Sequence, residues 1–418
     1  MTTEAGLDVA KLQRRTIVTL VIAQAFGGAG VSVGISVATL LAERILGSSD
    51  LAGVPQTAQV LGSAVVAFLL ARIMTTRGRR PGLALGFALG AVGAVVCVLS
   101  GFLSSFVLLL LGATLFGSAT AANNQSRYAA TDLAAPNKRA TALSLVVWAS
   151  TVGAVLGPNL LGPADRLTMS MGAPEFVGPF VLGAIGATLA AIVFLVRLRP
   201  DPLLVARQVA SVDPRIRPNS SIRHVYRVVA SRPRATVAVL AIALAHTVMV
   251  SVMVMTPLHL HHGGAGLEVI GFVISVHIVG MFAFAPLMGI AADRLGRLPL
   301  IGLGSAILLA SVVLSGLAPA GPSVGLTVGL FLLGLGWSCC MVASSALLTD
   351  SVPLEDRPTV QGASDLAVGC AAAFGAAGAG LIVGTWGYAT LNVAAGFLAA
   401  ATGLLLLFAR RSSDPSRS

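Results

Sequence analysis

The sequence predicts an all-α integral membrane protein of twelve spanning helices in two related halves, and three observations carry that prediction. Hydrophobic residues make up 56% of the 418 and charged residues 10%, with a mean hydropathy of +0.90. Long runs without Asp, Glu, Lys or Arg recur along the whole chain, and the basic residues collect in alternate gaps between them. Soluble domains carry about 25% charged residues, so this chain lacks the polar surface a water-exposed globule needs. Hydrocarbon makes the opposite demand, because a spanning helix satisfies its own backbone and shows apolar side chains outward.

Divided where Pro, Gly and polar clusters fall, the runs give spans at 16–42, 52–71, 81–100, 103–126, 140–162, 176–196, 235–258, 268–291, 298–318, 323–347, 359–383 and 388–409. Each can cross a core of about 30 Å at about 1.5 Å per residue. Only short turns containing Gly, Ser or Pro separate neighbours at 100–103, 318–323 and 383–388. With the N-terminus inside, 25 of the 27 Lys and Arg fall on the cytoplasmic side, leaving Arg44 and Arg166 outside. That bias places both termini in the cytoplasm of a multi-pass protein. Arg outnumbers Lys 25 to 2, which fits a high-GC bacterial source and a bacterial inner membrane.

The stretch 197–234 holds nine arginines and Arg-Pro and Asp-Pro punctuation. It is expected to be a cytoplasmic linker between a six-span bundle at 1–196 and another at 235–418, with its arginines touching anionic membrane lipid. Basic residues are not interleaved with aromatics, so nucleic acid is excluded as a partner despite the net charge of +11. Cys97, Cys339, Cys340 and Cys370 lie inside apolar runs without metal-ligand spacing. His259, His261 and His262 cluster at the outer end of span seven, where a solvated loop is favoured over a metal site. The first apolar run spans 27 residues, too long for a signal-peptide core. No nucleotide-binding loop or catalytic-triad spacing is visible, so neither an enzyme nor a cofactor is expected.

An internal repeat supports the two halves. A shift of 218 residues carries Gly78-Arg79 onto Gly296-Arg297, Asp132 onto Asp350 and Arg139 onto Arg357. It also carries Gly86 onto Gly304 and Gly157 onto Gly375. Parallel six-helix repeats are a transporter architecture, with substrate bound between the halves near the midplane.

Between spans eight and nine stands Gly289-Ile290-Ala291-Ala292-Asp293-Arg294-Leu295-Gly296-Arg297. This resembles the G-x-x-x-D-R-x-G-R signature of the major facilitator superfamily at its second-half position. The first-half copy, Ala71 to Arg80, keeps Gly78, Arg79 and Arg80 but has Thr75 where the family carries Asp. Gly153-x-x-x-Gly157-Pro158 in span five is similar to the family's antiporter motif, with Leu161 at one expected glycine and Gly162 at the next. Asp132, Pro136 and Arg139 resemble the family's acidic–Pro–Arg loop, repeated as Asp350, Pro353 and Arg357. The overall pattern resembles actinobacterial drug-efflux proton antiporters, but aligning on Gly117 puts Ala113 where that branch carries an arginine.

The resemblance implies two pseudo-symmetric six-helix bundles that alternate access to a central substrate. It implies a cytoplasmic gate from Arg79, Arg127, Asp132, Arg139, Gly289, Asp293, Arg294, Gly296, Arg297, Asp350 and Arg357. Gly153, Gly157 and Pro158 would loosen span five and permit a bend. Arg127 and Tyr128 could equally anchor the membrane boundary. Gly82, Gly86 and Gly90 in span three read as packing positions.

Asp365 is the sharpest candidate, because it is the one acidic or basic residue in the interior of any span. Eight residues past Arg357, it lies about 12 Å along the helix. A charge at that depth costs about 2.5–3.5 kcal/mol, so Asp365 must face a polar environment or be protonated. Its alternatives are a proton carrier and an inward Asp bonded to a neighbouring helix. His246 and His277 are the other titratable groups at depth, each a coupling or a packing residue. Gln59 matches His277 under the repeat and, with Gln24, Asn123, Asn124 and Trp148, would line the substrate cavity or join helices.

The expected function is proton-coupled export of a small hydrophobic or amphipathic compound by a monomer. Its partners are that substrate, protons and membrane lipid. Uptake or facilitated exchange of a metabolite is the second expectation, and a non-transporting receptor or lipid-handling scaffold the third.

Overall fold

The computed structural model describes residues 8–48, 51, 53–211 and 221–411, excluding the side chains of 32–36, 154–156, 158–159, 267 and 407–411. Its first half contains α1 (Val9–Leu46), α2 (Val54–Arg77), α3 (Arg79–Leu103), α4 (Phe106–Ala129), α5 (Arg139–Ser170) and α6 (Gly178–Arg197). Two short helices follow in the linker, α7 (Pro202–Val209) and α8 (Ile222–Ala230). The second half contains α9 (Pro233–His262), α10 (Leu267–Phe282), α11 (Ala285–Leu295), α12 (Arg297–Leu317), α13 (Val324–Ser351) and α14 (Arg357–Arg411). Gly387 interrupts α14 with φ 83° and ψ 173°, so its two arms are spans eleven and twelve, divided inside the turn expected at 383–388. The pair α10 and α11 forms span eight, broken at Ala283-Phe284 where Pro286 opens the second helix. The fold is thus the expected twelve-span, all-helical one.

Local chemistry sets the helix ends, and the repeat is visible in it. Ser105 Oγ accepts from Leu108 N at 3.4 Å to cap α4, and its 218-shifted counterpart Ser323 accepts from Leu326 N at 3.1 Å to cap α13. Gly78 and Gly296 are a second shifted pair. Their φ values of 90° and 101° turn the chain between α2 and α3 and between α11 and α12, which only glycine does without strain. Several helices outrun the expected spans. α1 begins at Val9 rather than 16, because Asp8 caps it through Ala10 N and Lys11 N at 3.0 and 3.2 Å. Charge-free runs mark hydrocarbon, whereas a helix continues into the headgroup region until something stops it.

The helices form two compact units. The first comprises Met1–Ala134, Ala149–Val225 and Pro353–Gly369, and the second Ala135–Trp148, Tyr226–Val352 and Cys370–Ser418. Each unit therefore includes one segment from beyond the 196/235 sequence boundary. Small residues bring the helices together in both, as association without a hydrophobic driving force requires. In the first unit a Cβ on Gly62 would strike the Thr114 carbonyl of α4, and one on Gly153 would strike the backbone of Gly28 and Ala29 in α1. Gly82, Gly86 and Gly90 of α3 press against Met74, Ala122 and Ala119, which is the packing role expected of them. In the second unit Gly304 is held against Cys339 and Cys340. All four cysteines are free thiols.

Candidate functional site

Two charge clusters occupy 218-shifted positions, one in each unit. In the first, Arg79 donates from Nε to Asp132 Oδ2 at 2.8 Å and from Nη2 to Oδ1 at 3.1 Å. Neither side chain is exposed, and Nη2 also donates to Gln361 Oε1 of α14 at 2.8 Å. In the second, Arg297 donates from Nε to Asp350 Oδ2 at 3.2 Å and pairs with Asp293 at 2.7 Å. Arg139 completes that cluster by donating to Asp350 Oδ1 at 2.6 Å.

The repeat extends to the contacts beside each pair. Asp293 accepts from Ala140 N at 3.2 Å, Thr141 N at 2.8 Å and Thr141 Oγ1 at 2.6 Å. Its carboxylate thus caps the N-terminus of α5, where the helix dipole favours negative charge. The shifted counterparts of Asp293 and Thr141 are Thr75 and Thr359, which share a hydrogen bond of 2.7 Å with no exposure at Thr75. Gly289 sits against Ser144 and Ala140, while its counterpart Ala71 sits against Gly362, the counterpart of Ser144. The small residue has changed sides between the two units, but the close approach remains. Thr75 therefore replaces the acidic residue by a neutral hydroxyl bond.

A third cluster has no repeat partner. Arg127 donates from Nη2 to Asp365 Oδ1 at 2.7 Å, with each side chain 10% exposed. Its Nη1 donates to the Asn124 carbonyl at 3.0 Å, and Nη2 also reaches Tyr128 Oη at 3.2 Å. Gln125 Nε2 donates to the second carboxylate oxygen of Asp365 at 3.1 Å. The shifted counterparts of Gln125, Arg127 and Asp365 are Ala343, Ser345 and Val147. Two glycines of α14 allow this layer to form: Gly362 lies against Ala71 and Gln125, and Gly369 against Ala64. A buried carboxylate held by one guanidinium and one amide is a group that can hold or release a proton.

Of the remaining candidates, Gln24 donates to Ser150 Oγ and accepts from Ser126 Oγ, both at 2.8 Å, so it joins α1, α4 and α5. Gln59 is buried, Asn123 is half-buried, and Asn124 and Trp148 are exposed. His246 accepts at Nδ1 from Trp337 Nε1 at 2.9 Å, in an aromatic group with Phe282. His277 is fully buried, and its Nδ1 meets the Leu330 carbonyl at 2.8 Å. Arg294 is exposed and outside the clusters, whereas Arg357 is buried in the first turn of α14. α5 runs as one helix through Gly153 and Gly157, and the Pro158 side chain lies outside the described residues. Among the described residues no group of His, Cys, Asp and Glu could hold a metal.

Sequence reasoning passed over Gln125, Gln361, Thr141, Thr359 and Trp337. It also missed the linker. Asp201 caps α7 and accepts from Arg80 N at 2.7 Å. Arg207 donates to the Thr75 and Glu355 carbonyls at 2.8 and 3.3 Å, and His224 meets Asp356 at 2.9 Å.

Comparison with known proteins agrees with this architecture. The family model of the Major Facilitator Superfamily matches residues 20–268 and 260–418. The MFS-type transporter YdeG of Bacillus subtilis (strain 168) is 37% identical over 391 residues, covering 93% of this chain and 90% of that protein. The riboflavin transporter RfnT of Brucella anthropi is 28% identical over 385 residues, covering 91% of this chain and 92% of that protein. Among solved structures, the proton:xylose symporter XylE superposes with a TM-score of 0.75 at 15% identity, covering 96% of each chain. With the repeat present in sequence and in contacts, the chain belongs to the Major Facilitator Superfamily and is a secondary transporter of small molecules across a membrane.

Proposed function

We propose that the protein exports a small hydrophobic or amphipathic compound in exchange for protons, with Asp365 as the proton-binding group. The observation that carries this is the Arg127–Asp365 pair, which joins α4 to α14 with each side chain 10% exposed and has no repeat partner. In a protein whose bracing contacts follow the repeat, the departure from it is where directional chemistry belongs. Ionised Asp365 holds Arg127; a proton cancels its charge and releases that hold. Substrate and proton then compete, as exchange requires.

Alternating access by rocking of the two six-span bundles follows from the repeat. The clusters around Arg79–Asp132 and Asp293–Arg297–Asp350 serve as cytoplasmic gates, with both termini on that side by the charge bias. Scarce charge at depth suits an uncharged or amphipathic substrate. Asp365→Asn should abolish transport driven by a pH gradient while leaving substrate exchange intact; full gradient-driven transport by the variant would refute the assignment.

A second reading is uptake or facilitated exchange of a metabolite, favoured by similarity to the riboflavin transporter over nearly the whole chain. Vesicles with a pH gradient of either sign, tested with riboflavin and with compounds from a growth-inhibition panel, separate the two by the sign that drives accumulation.

A further inference from the structure

Asp365 offers its two oxygens to different partners. Oδ1 takes Arg127 Nη2 at 2.7 Å, while Oδ2 takes Gln125 Nε2 at 3.1 Å. A proton therefore adds at Oδ2, the oxygen that Arg127 does not hold. Only the –NH2 end of the amide can face an ionised carboxylate, which fixes the orientation of Gln125 in this state. Once Oδ2 carries hydrogen, two donors face each other and the contact must change.

Gln125 is built for that change. Its side chain is fully buried, and its Oε1 receives no hydrogen bond from any described residue. The terminal torsion of glutamine is broad, so the amide can turn without leaving its rotamer, giving up only the long 3.5 Å bond from Nε2 to the Ala67 carbonyl. A Cβ on Gly362 would lie 3.4 Å from Nε2, so glycine leaves room on that side. We propose that Gln125 is a positioning residue for the proton on Asp365: its amide donates to Oδ2 of the ionised carboxylate and turns to accept from Oδ2–H of the acid. This rests on Asp365 as the proton-binding group and adds how both of its states are accommodated.

The charged and titratable surroundings on every packed element are few. From α4 come Arg127 and Tyr128; from α3 comes Arg79, itself held by Asp132. α2 presents Ala64, Ala67 and Ala71, and α14 itself carries Arg357 two turns earlier. Among the described residues none of these groups bonds Oδ2, so the Gln125 amide is the group that answers protonation there.

The test combines a pH profile with infrared difference spectroscopy on the full reconstituted protein. Gln125→Met keeps side-chain length but removes both donor and acceptor. A hydrogen bond to a charged group is worth more than one to a neutral group, so the transport midpoint should rise by about one pH unit. Gln125→Glu places two carboxyls side by side, and proton uptake should split into two steps. On acidification the wild type should show an Asp365 acid band, lost in Asp365→Asn, together with a change in the Gln125 amide band. In Gln125→Met the acid band should move to higher frequency. An acid band present but unmoved, with the midpoint unchanged and one-step uptake in Gln125→Glu, overturns the role of Gln125. A wild type with no band sensitive to Asp365→Asn overturns proton binding at Asp365 and the Gln125 role with it.

Discussion

Replacing Asp132 by Ala strands the guanidinium of Arg79 in a site where neither side chain is exposed. Removing one partner of a buried ion pair costs about 3–5 kcal/mol, because the other charge stays desolvated without compensation. Gln361 still accepts from Arg79 Nη2 at 2.8 Å, which points to the lower end, about 3 kcal/mol. Removing both charges in the double variant Arg79→Met/Asp132→Ala avoids that penalty and leaves mainly the lost Gln361 bond, about 1 kcal/mol. The two replacements should therefore be non-additive, with the double variant about 2 kcal/mol more stable than Asp132→Ala alone. Unfolding by SDS in mixed micelles, followed by fluorescence of the three tryptophans, measures all four corners of the cycle. The shifted pair supplies a control: Asp350 is 27% exposed and shared by Arg139 and Arg297, so Asp350→Ala should cost about 1 kcal/mol. An Asp132→Ala cost within about 0.5 kcal/mol of zero, or a double variant less stable than the single, would refute the reasoning.

Other consequences follow from the same contacts. Gly62→Ala forces a methyl onto the Thr114 carbonyl and should destabilise by about 1–3 kcal/mol, whereas Gly271→Ala, with nothing within 4 Å, should stabilise α10 by up to about 1 kcal/mol in the same SDS assay. Thr75→Asp restores the acidic residue the family carries but puts it where no cation bonds the Thr75 side chain and exposure is nil. It should lower stability by at least about 2 kcal/mol and shift the unfolding midpoint accordingly. Asp293→Ala strips the cap from α5 and one partner from Arg297, so it should cost about 1–2 kcal/mol and speed amide exchange at Ala140 and Thr141. Equal exchange in the variant and the wild type would count against the capping role.

The parts of this fold legible in sequence are those set by hydrocarbon and by the repeat. Charge-free runs located the spans because a bilayer excludes charge over a fixed thickness. The 218-residue shift found Arg79, Asp132, Arg297 and Asp350, and these prove to be pairs because one local geometry is used twice. The Thr75–Thr359 and Asp293–Thr141 contacts obey the same shift, but hydroxyls and a lone acid at helix ends carry no distinctive spacing.

The Arg127–Asp365–Gln125 cluster was only half legible. Asp365 stood out by its depth. Its partner did not, because the charge-free run of span four ends at Ser126, one residue short of Arg127, while α4 continues to Ala129. Pairing across 238 residues between two helices leaves no periodicity to read. The linker was legible as polar but not as structured. Its docking uses backbone carbonyls of Thr75 and Glu355, which every sequence possesses.

Proton release on substrate binding tests the central claim most directly. In weakly buffered detergent solution about one pH unit below the transport midpoint, where Asp365 is about nine-tenths protonated, adding saturating substrate to the wild type should release close to one proton per protein, read by a pH indicator. Asp365→Asn should bind the same substrate and release none. Equal release from both proteins would contradict the account.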